Sequence, residues 1–263
     1  MSFRVPTVAA LGAVLAALGA CATPPAAQSG FLSNYSALTP EPATLASIRQ
    51  NRDEATLANV DRLALEPAVF VGGAEEGLSA EEAGWVLAEV DRQVCYELSE
   101  RFTVLEPSQP GAQATVRMAV TGLSLTNPAG SGLSAVANWF IPGPIGVRAP
   151  GSTGGLAAEG ELVLVPDGRQ AAAITWARNA KVVGFDTPSL SRLGDALQLA
   201  EPLGDAVGDA FAPEGREVRE IADPDPCARF GPRTRPAGFL ARMATGLYDP
   251  GMSAAPRETS PDE

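Results

Sequence analysis

Ala114-Thr115-Val116-Arg117-Met118-Ala119-Val120 is the stretch that decides the fold. Val116, Met118 and Val120 fall on one side of an extended chain, Thr115, Arg117 and Thr121 on the other, which is the two-residue period of a half-buried strand. Such alternation belongs to antiparallel sheets with one apolar face. It continues toward Leu125 through an expected irregularity at Gly122. Downstream, residues 156–165 and 170–180 read as two further strands, joined by Pro166-Asp167-Gly168-Arg169 as a hairpin turn. Upstream, residues 66–71 read as a buried strand ended by Gly72-Gly73, and residues 103–106 as a short strand stopped by Pro107.

Two helices accompany these strands. Ser79 followed by Glu82 makes a capping box, and Ala83, Val86, Leu87, Val90, Val94 and Leu98 recur at helical spacing to about Phe102. Residues 191–211 carry Leu193, Leu197, Ala200, Leu203, Val207 and Phe211 on one side, with a local kink expected at Pro202. This element order implies a two-layer α+β sandwich, an antiparallel or mixed four- to five-stranded sheet with two helices on one face. Residues 60–215 are assigned to that domain, and residues 216–263 to a Pro/Arg-rich C-terminal segment with a disordered tail.

Ahead of the domain, Arg4 precedes an uncharged run from Val5 to Ala20, and Leu18-Gly19-Ala20-Cys21 closes it. As a helix that run would span about 24 Å, short of the roughly 30 Å hydrocarbon core, so it reads as an export signal over residues 1–20 and not as a membrane span. The four residues resemble the lipobox of bacterial lipoproteins. That resemblance implies acylation of Cys21, cleavage before it, and a membrane anchor for everything that follows. Ala22 and Thr23 stand where lipoproteins retained in the inner membrane typically carry Asp, so the expected location is the outer membrane, periplasmic face. Residues 21–59 then comprise the lipidated cysteine, a Pro/Ala/Ser tether and a docking segment, Ser29 to Leu38, whose Phe31, Leu32 and Tyr35 are expected to lie on the domain.

Composition narrows the chemistry. A formal charge of −12 argues against nucleic acid, whose recognition rests on Lys and Arg neutralising phosphates. There is no histidine, which removes the commonest general base and zinc ligand, and no cofactor or metal site is expected. With Cys21 acylated, Cys95 and Cys227 remain as an even pair in an exported protein and are expected to form a disulfide. Glu75, Glu76, Glu81 and Glu82 suit a helix N-terminus without a cation, and Asp205 and Asp209 read as a solvated helix face.

Residues 127–155 are the least regular stretch, rich in Gly and Pro yet carrying Trp139, Phe140 and Ile141. Gly130-Ser131-Gly132-Leu133-Ser134-Ala135 formally matches a dinucleotide-binding glycine pattern, but the surroundings are not a βαβ unit. The stretch is expected to be a long connection without regular structure, with Trp139, Phe140 and Ile141 as a partner-binding surface or a cap on the core. Residues 227–248 hold Arg229, Arg233, Arg235 and Arg242 without one acid, and Phe239, Leu240, Met243 and Leu247 follow helical spacing. That segment is expected to be a short basic helix, docked on the protein's own sheet in preference to an anionic membrane surface.

The Ser29-Gly30-Phe31-Leu32-Ser33-Asn34-Tyr35-Ser36-Ala37-Leu38 run resembles the opening of a bacterial lipoprotein family known as domain of unknown function 3313, with Asn34 where that family usually has Asp. The hairpin is similar to the same family at Glu159, Glu161, Asp167 and Gly168, while Pro166 departs from it. The family has no assigned activity, so the resemblance supports fold and location only. The expected function is a non-catalytic envelope lipoprotein, held to the membrane through Cys21 and binding an envelope protein or peptidoglycan. The alternative is a carboxylate-dependent hydrolase acting on a cell-envelope glycan.

Overall fold

The computed structural model describes residues 23–138, 146–184, 186–232 and 235–254. In chain order its strands are β1 (Thr39–Glu41), β2 (Ser47–Arg52), β3 (Arg62–Leu65), β4 (Val69–Phe70), β5 (Thr103–Leu105), β6 (Ala114–Ser124), β7 (Gly146–Val147), β8 (Gly155–Leu164), β9 (Gln170–Asn179) and β10 (Val183–Gly184). Eight of them form one open sheet in the order β1-β2-β9-β8-β6-β3-β5, with β4 continuing along the β6 edge beyond β3. The β6, β8, β9, β2 and β1 pairings are antiparallel, whereas β3 and β4 run parallel to β6, and β5 parallel to β3. The sheet is therefore mixed. Strand β6 pairs along its whole length with β8, and its register shifts between Val120 and Gly122, where the sequence placed an irregularity.

The sheet is larger than the four or five strands expected. Two additions, β1 and β2, precede residue 60; Ser47-Ile48-Arg49-Gln50-Asn51-Arg52 has one apolar residue and owes its conformation to its ladder with β9. The buried run expected at residues 66–71 is also displaced. Leu63, Ala64 and Leu65 are the buried strand, Pro67 follows, and Val69 is 44% exposed. A proline lacks the N–H that a ladder needs, so the strand breaks there and resumes for only two residues.

The helices are α1 (Glu54–Leu57), α2 (Ala80–Ser99), α3 (Pro128–Asn138), α4 (Gly194–Phe211), α5 (Pro236–Thr245) and α6 (Pro250–Ser253). Helix α2 begins at the capping box: Ser79 Oγ accepts from the Glu82 amide at 3.2 Å, and the Glu82 carboxylate accepts from the Ser79 amide at 2.9 Å. Helices α2 and α4 lie against each other and close one face of the sheet. Gly204 permits that approach, since a Cβ there would sit 2.9 Å from the Gln93 carbonyl. Val90, Val94 and Leu98 meet Leu203 and Val207 over Val116, Met118, Leu162, Ile174 and Trp176. Cys95 is joined to Cys227 across 132 residues, both fully buried with Cα atoms 5.8 Å apart. That bond fastens the C-terminal segment to α2.

Residues 127–155 are not without structure. Asn127 Oδ1 accepts from the amides of Ala129 and Gly130, which caps α3, and Pro128 opens the helix where its missing N–H costs nothing. Gly130 is there for packing: a Cβ would lie 2.7 Å from the Ser152 Cβ. Strand β7 then pairs antiparallel with β10 in a small second sheet.

The opposite face of the main sheet is covered by residues 29–38. Glu159 and Glu161, two apart on β8, share that face and are fully buried. Glu159 accepts from the Ser29 amide (3.0 Å), the Ser29 hydroxyl (2.6 Å) and the Tyr35 hydroxyl (2.6 Å). The Tyr35 oxygen in turn accepts from the Gly30 and Leu32 amides at 2.9 and 3.1 Å. Glu161 accepts from the amide and hydroxyl of Ser33, from Gln170 and from Arg117. Burial would raise the Glu161 carboxyl, but the Ser33 amide, Arg117 and Gln170 outweigh it and hold it below its ordinary value. Leu32 and Leu38 seal the contact against Ala173.

Two measurements check this packing. Tyr35→Phe removes a charge-assisted hydrogen bond to Glu159 and strands the Leu32 amide, a loss of about 2–3 kcal/mol. The variant is expected to melt about 5–10 °C lower and to expose residues 23–38 to limited proteolysis; an unchanged melting temperature would refute the clamp. On the helix layer, burial and then Glu97, Glu201 and Asp209 raise Asp205 to about 6. The unfolded chain loses that proton near the ordinary value of 3.8, so stability falls as pH rises between the two values. The burial is partial, since Asp205 keeps much of its surface in solvent, and screening there limits the effect to under about 1 kcal/mol. Asp205→Asn is expected to raise the melting temperature by a few degrees at pH 7, about 2–4 °C per kcal/mol at most, and to change nothing below pH 4.

Candidate functional site

The end of the sheet where β6 and β9 finish and β8 begins gathers the features that no core packing explains. Ser124, Gly155 and Asn179 are register partners there. The 127–155 excursion leaves from this end and is nailed to it by a buried ion pair. Arg148 and Asp195, 2% and 1% exposed, meet as a fork: Nη1 to Oδ1 at 2.5 Å and Nη2 to Oδ2 at 3.0 Å. Ser131 and the Ser152 carbonyl take the remaining Nη2 capacity, and the Gly154 amide donates to Asp195 at 2.6 Å. Asp195 lies in the first turn of α4, where the helix dipole favours its charge. The pair fixes α3 against the domain and sets where the segment after Asn138 starts.

The same end holds the N-terminal chain. Thr23 Oγ1 donates to the Leu45 carbonyl and accepts from the Asn179 amide, both at 3.3 Å. Pro24, Pro25 and Ala26 then run past Leu156, Ala157 and Ala177. The stretch read as a flexible tether is thus seated on the domain from Thr23 onward, because the carboxylates of β8 draw residues 29–35 down.

On the helix side of Arg178, next to Asn179, a cavity of about 420 Å³ opens between α2, α4 and α5. Four arginines line it. Arg92 is paired with Glu89 at 2.5 Å and donates to the carbonyls of Pro232 and Ser253, which holds the C-terminal segment down. Arg178 is paired with Asp186 at 2.7 Å. Arg235 and Arg242 form no ion pair among the described residues, and Glu201 is the remaining acid on the wall. Burial, then Glu89, pushes the Tyr248 hydroxyl above its ordinary value, so it stays a neutral donor.

Helix α5 does not dock as expected. Gly238 and Ala241 face the protein, but Phe239, Leu240 and Met243 are 55%, 64% and 71% exposed. The reason is local: the backbone of Met252 and the Ser253 hydroxyl come so close to Gly238 that the small-residue side of the helix packs inward. The apolar stripe is left turned out.

Of the residues singled out from sequence, Cys95 and Cys227 are joined in the core. Cys21, Trp139, Phe140 and Ile141 lie outside the described residues, as does Arg233. Sequence reasoning missed Glu159 and Glu161 as receptors for the N-terminal segment, although their spacing of two in an apolar strand was the available signal. It also missed the Arg148–Asp195 fork and the cavity, which join residues far apart in the chain.

Among curated proteins, no sequence matches this chain. Solved structures similar to it include a PelC dodecamer from Paraburkholderia phytofirmans, at 12% identity and a TM-score of 0.38, covering 67% of this chain and 100% of that one. The hypothetical protein CT253 from Chlamydia trachomatis is similar at 8% identity and a TM-score of 0.33, covering 57% and 98%. Lipoprotein GNA1162 from Neisseria meningitidis is similar at 12% identity and a TM-score of 0.28, covering 57% and 99%. Residues 27–207 match the family described as protein of unknown function (DUF3313), and the chain belongs to that family.

Proposed function

We propose that this protein is a non-catalytic envelope lipoprotein, acylated on Cys21, anchored in the outer membrane and facing the periplasm, where it binds an envelope partner. The observation that carries this reading is the seating of Thr23 on Leu45 and Asn179, two residues after the lipobox cysteine. Two extended residues reach only about 7 Å, so an acyl anchor at Cys21 holds the Asn179 end of the sheet against the bilayer surface. No helix among the described residues is long and apolar enough to cross a membrane, and the anchor supplies the attachment. The chain departs from that same end after Ser124 and returns to it at Gly155, and Trp139, Phe140 and Ile141, between those points in the sequence, are the proposed partner-binding residues. The buried carboxylates Glu159 and Glu161 are filled by donors from residues 29–35, Arg117 and Gln170, which favours docking over acid–base chemistry.

Cys21→Ser tests the anchor. The variant is expected to lose acylation and to move from the detergent phase to the aqueous phase, with unchanged thermal unfolding because the described fold begins after it. A variant that still fractionates with membranes after a high-salt wash would refute the reading.

A further inference from the structure

We propose that the arginine-lined cavity beside the end of β9 receives the phosphate of an anionic phospholipid, while Phe239, Leu240 and Met243 of α5 enter the lipid next to it. The proposal rests on the acylated-Cys21 reading for its orientation and on the cavity itself for its chemistry.

The chemistry starts from unused donors. The Nε atoms of Arg92, Arg178 and Arg235 are buried without a hydrogen-bond partner, and all three residues line this one cavity. Arg235 and Arg242 also lack an ion pair among the described residues. Glu89, through Oε1 alone, and Asp186 are each paired with an arginine, and with Glu201 they leave the four-arginine wall one positive charge in excess. In a chain of net charge −12 that is a segregated feature. Guanidinium groups present planar forks of donors that match phosphate oxygens, and a buried donor left unmade is costly.

The surroundings select a lipid as the source of that phosphate. A soluble phosphate needs no apolar rim, yet α5 forms the cavity wall with Phe239 and Arg242 and turns Phe239, Leu240 and Met243 to solvent. Positions 239, 240 and 243 share one side of the helix, so the apolar group is contiguous and flanked by arginine, the composition of a helix lying in a headgroup layer. Position agrees with composition. Arg178 lines the cavity and Asn179, the next residue, holds Thr23, so the leash from Cys21 and the cavity meet at consecutive residues of β9. Tyr248 anchors this arrangement: its amide donates to the Pro188 carbonyl at 2.8 Å and its carbonyl accepts from the Ser189 hydroxyl at 2.7 Å. The C-terminal segment is thereby fixed to the connection between β10 and α4.

The test uses the chain from Ala22 onward, produced without acylation, so that its outcome is independent of the anchor. At low ionic strength it is expected to float with vesicles of phosphatidylethanolamine containing phosphatidylglycerol and to stay behind with neutral phosphatidylcholine vesicles. Each arginine near anionic headgroups adds about 1 kcal/mol, so Arg235→Gln with Arg242→Gln is expected to weaken binding about thirtyfold. Phe239→Ser with Met243→Ser is expected to abolish flotation at an unchanged melting temperature, since both side chains are more than half exposed. Equal binding to anionic and neutral vesicles, or arginine variants that bind as the parent does, would overturn the proposal. So would a protein that ignores vesicles but is stabilised by glycerol phosphate through Arg235 and Arg242, which would make the ligand a soluble phosphate. Failure here leaves Cys21→Ser fractionation to judge the anchor separately.

Discussion

Two buried carboxylates on one strand constrain the whole architecture. Glu159 and Glu161 sit at the centre of the sheet, on the face that the helices do not cover, and neither touches water. A carboxylate out of water is destabilising unless its lone pairs are filled by well-placed donors. All the donors to Glu159 and two of those to Glu161 come from residues 29–35, nearly 130 residues earlier in the chain, while Arg117 and Gln170 complete Glu161. Docking of that segment is therefore a requirement of the fold. With it in place, both faces of the sheet are covered, Leu32 and Leu38 gain a surface at Ala173, and the chain back to Thr23 is drawn along the sheet to its end.

The helix side obeys a similar rule with different groups. Arg92 and Glu89 are almost fully buried on α2, and Arg92 is stabilised there by carbonyls of the C-terminal segment. The Cys95–Cys227 bond holds the start of that segment a short distance away. Between them these contacts convert a Pro- and Arg-rich stretch of weak intrinsic order into the wall of a cavity. The apolar side of α5 gains nothing from this and stays exposed, because the inward position is taken by Gly238.

Periodicity made the centre of the molecule legible in the sequence and left its margins dark. Strand β6 and helices α2 and α4 carry their own two-residue and helical repeats, since each buries one face more than the other, whereas β8 and β9 are buried on both faces and declare themselves as runs about the Pro166-Asp167-Gly168 turn. Strand β2 carries no such repeat: its six residues are polar but for Ile48, and the ladder with β9 alone makes them extended. Helix α3 was hidden by Gly130 and Gly132, which depress helix propensity, although Gly130 fits a close contact with Ser152. Glu159 and Glu161 stood out in the sequence only through the family resemblance, because alternation says which side a residue takes and not what covers that side. The Arg148–Asp195 fork and the four-arginine cavity are assembled from separate segments, and no local pattern announces a contact between them. Strands β3 and β4 stand in place of the single strand expected at residues 66–71, and β1 and β2 are strands only in company.

The position of the docking segment also imposes an order in time. Residues 29–52 come first in the chain, yet their receptors, Glu159, Glu161 and the β9 edge, follow more than a hundred residues later. Pairings so distant in sequence form late, after the loops that separate them have closed. Until the β8–β9 hairpin exists, the segment has nothing to lie on, and Cys21 remains at the end of a long free strand. On the reading that this cysteine is acylated, the delay leaves it within reach of the processing enzymes at the membrane. On the same reading, completion of the hairpin shortens the leash and would bring the finished domain down onto the bilayer.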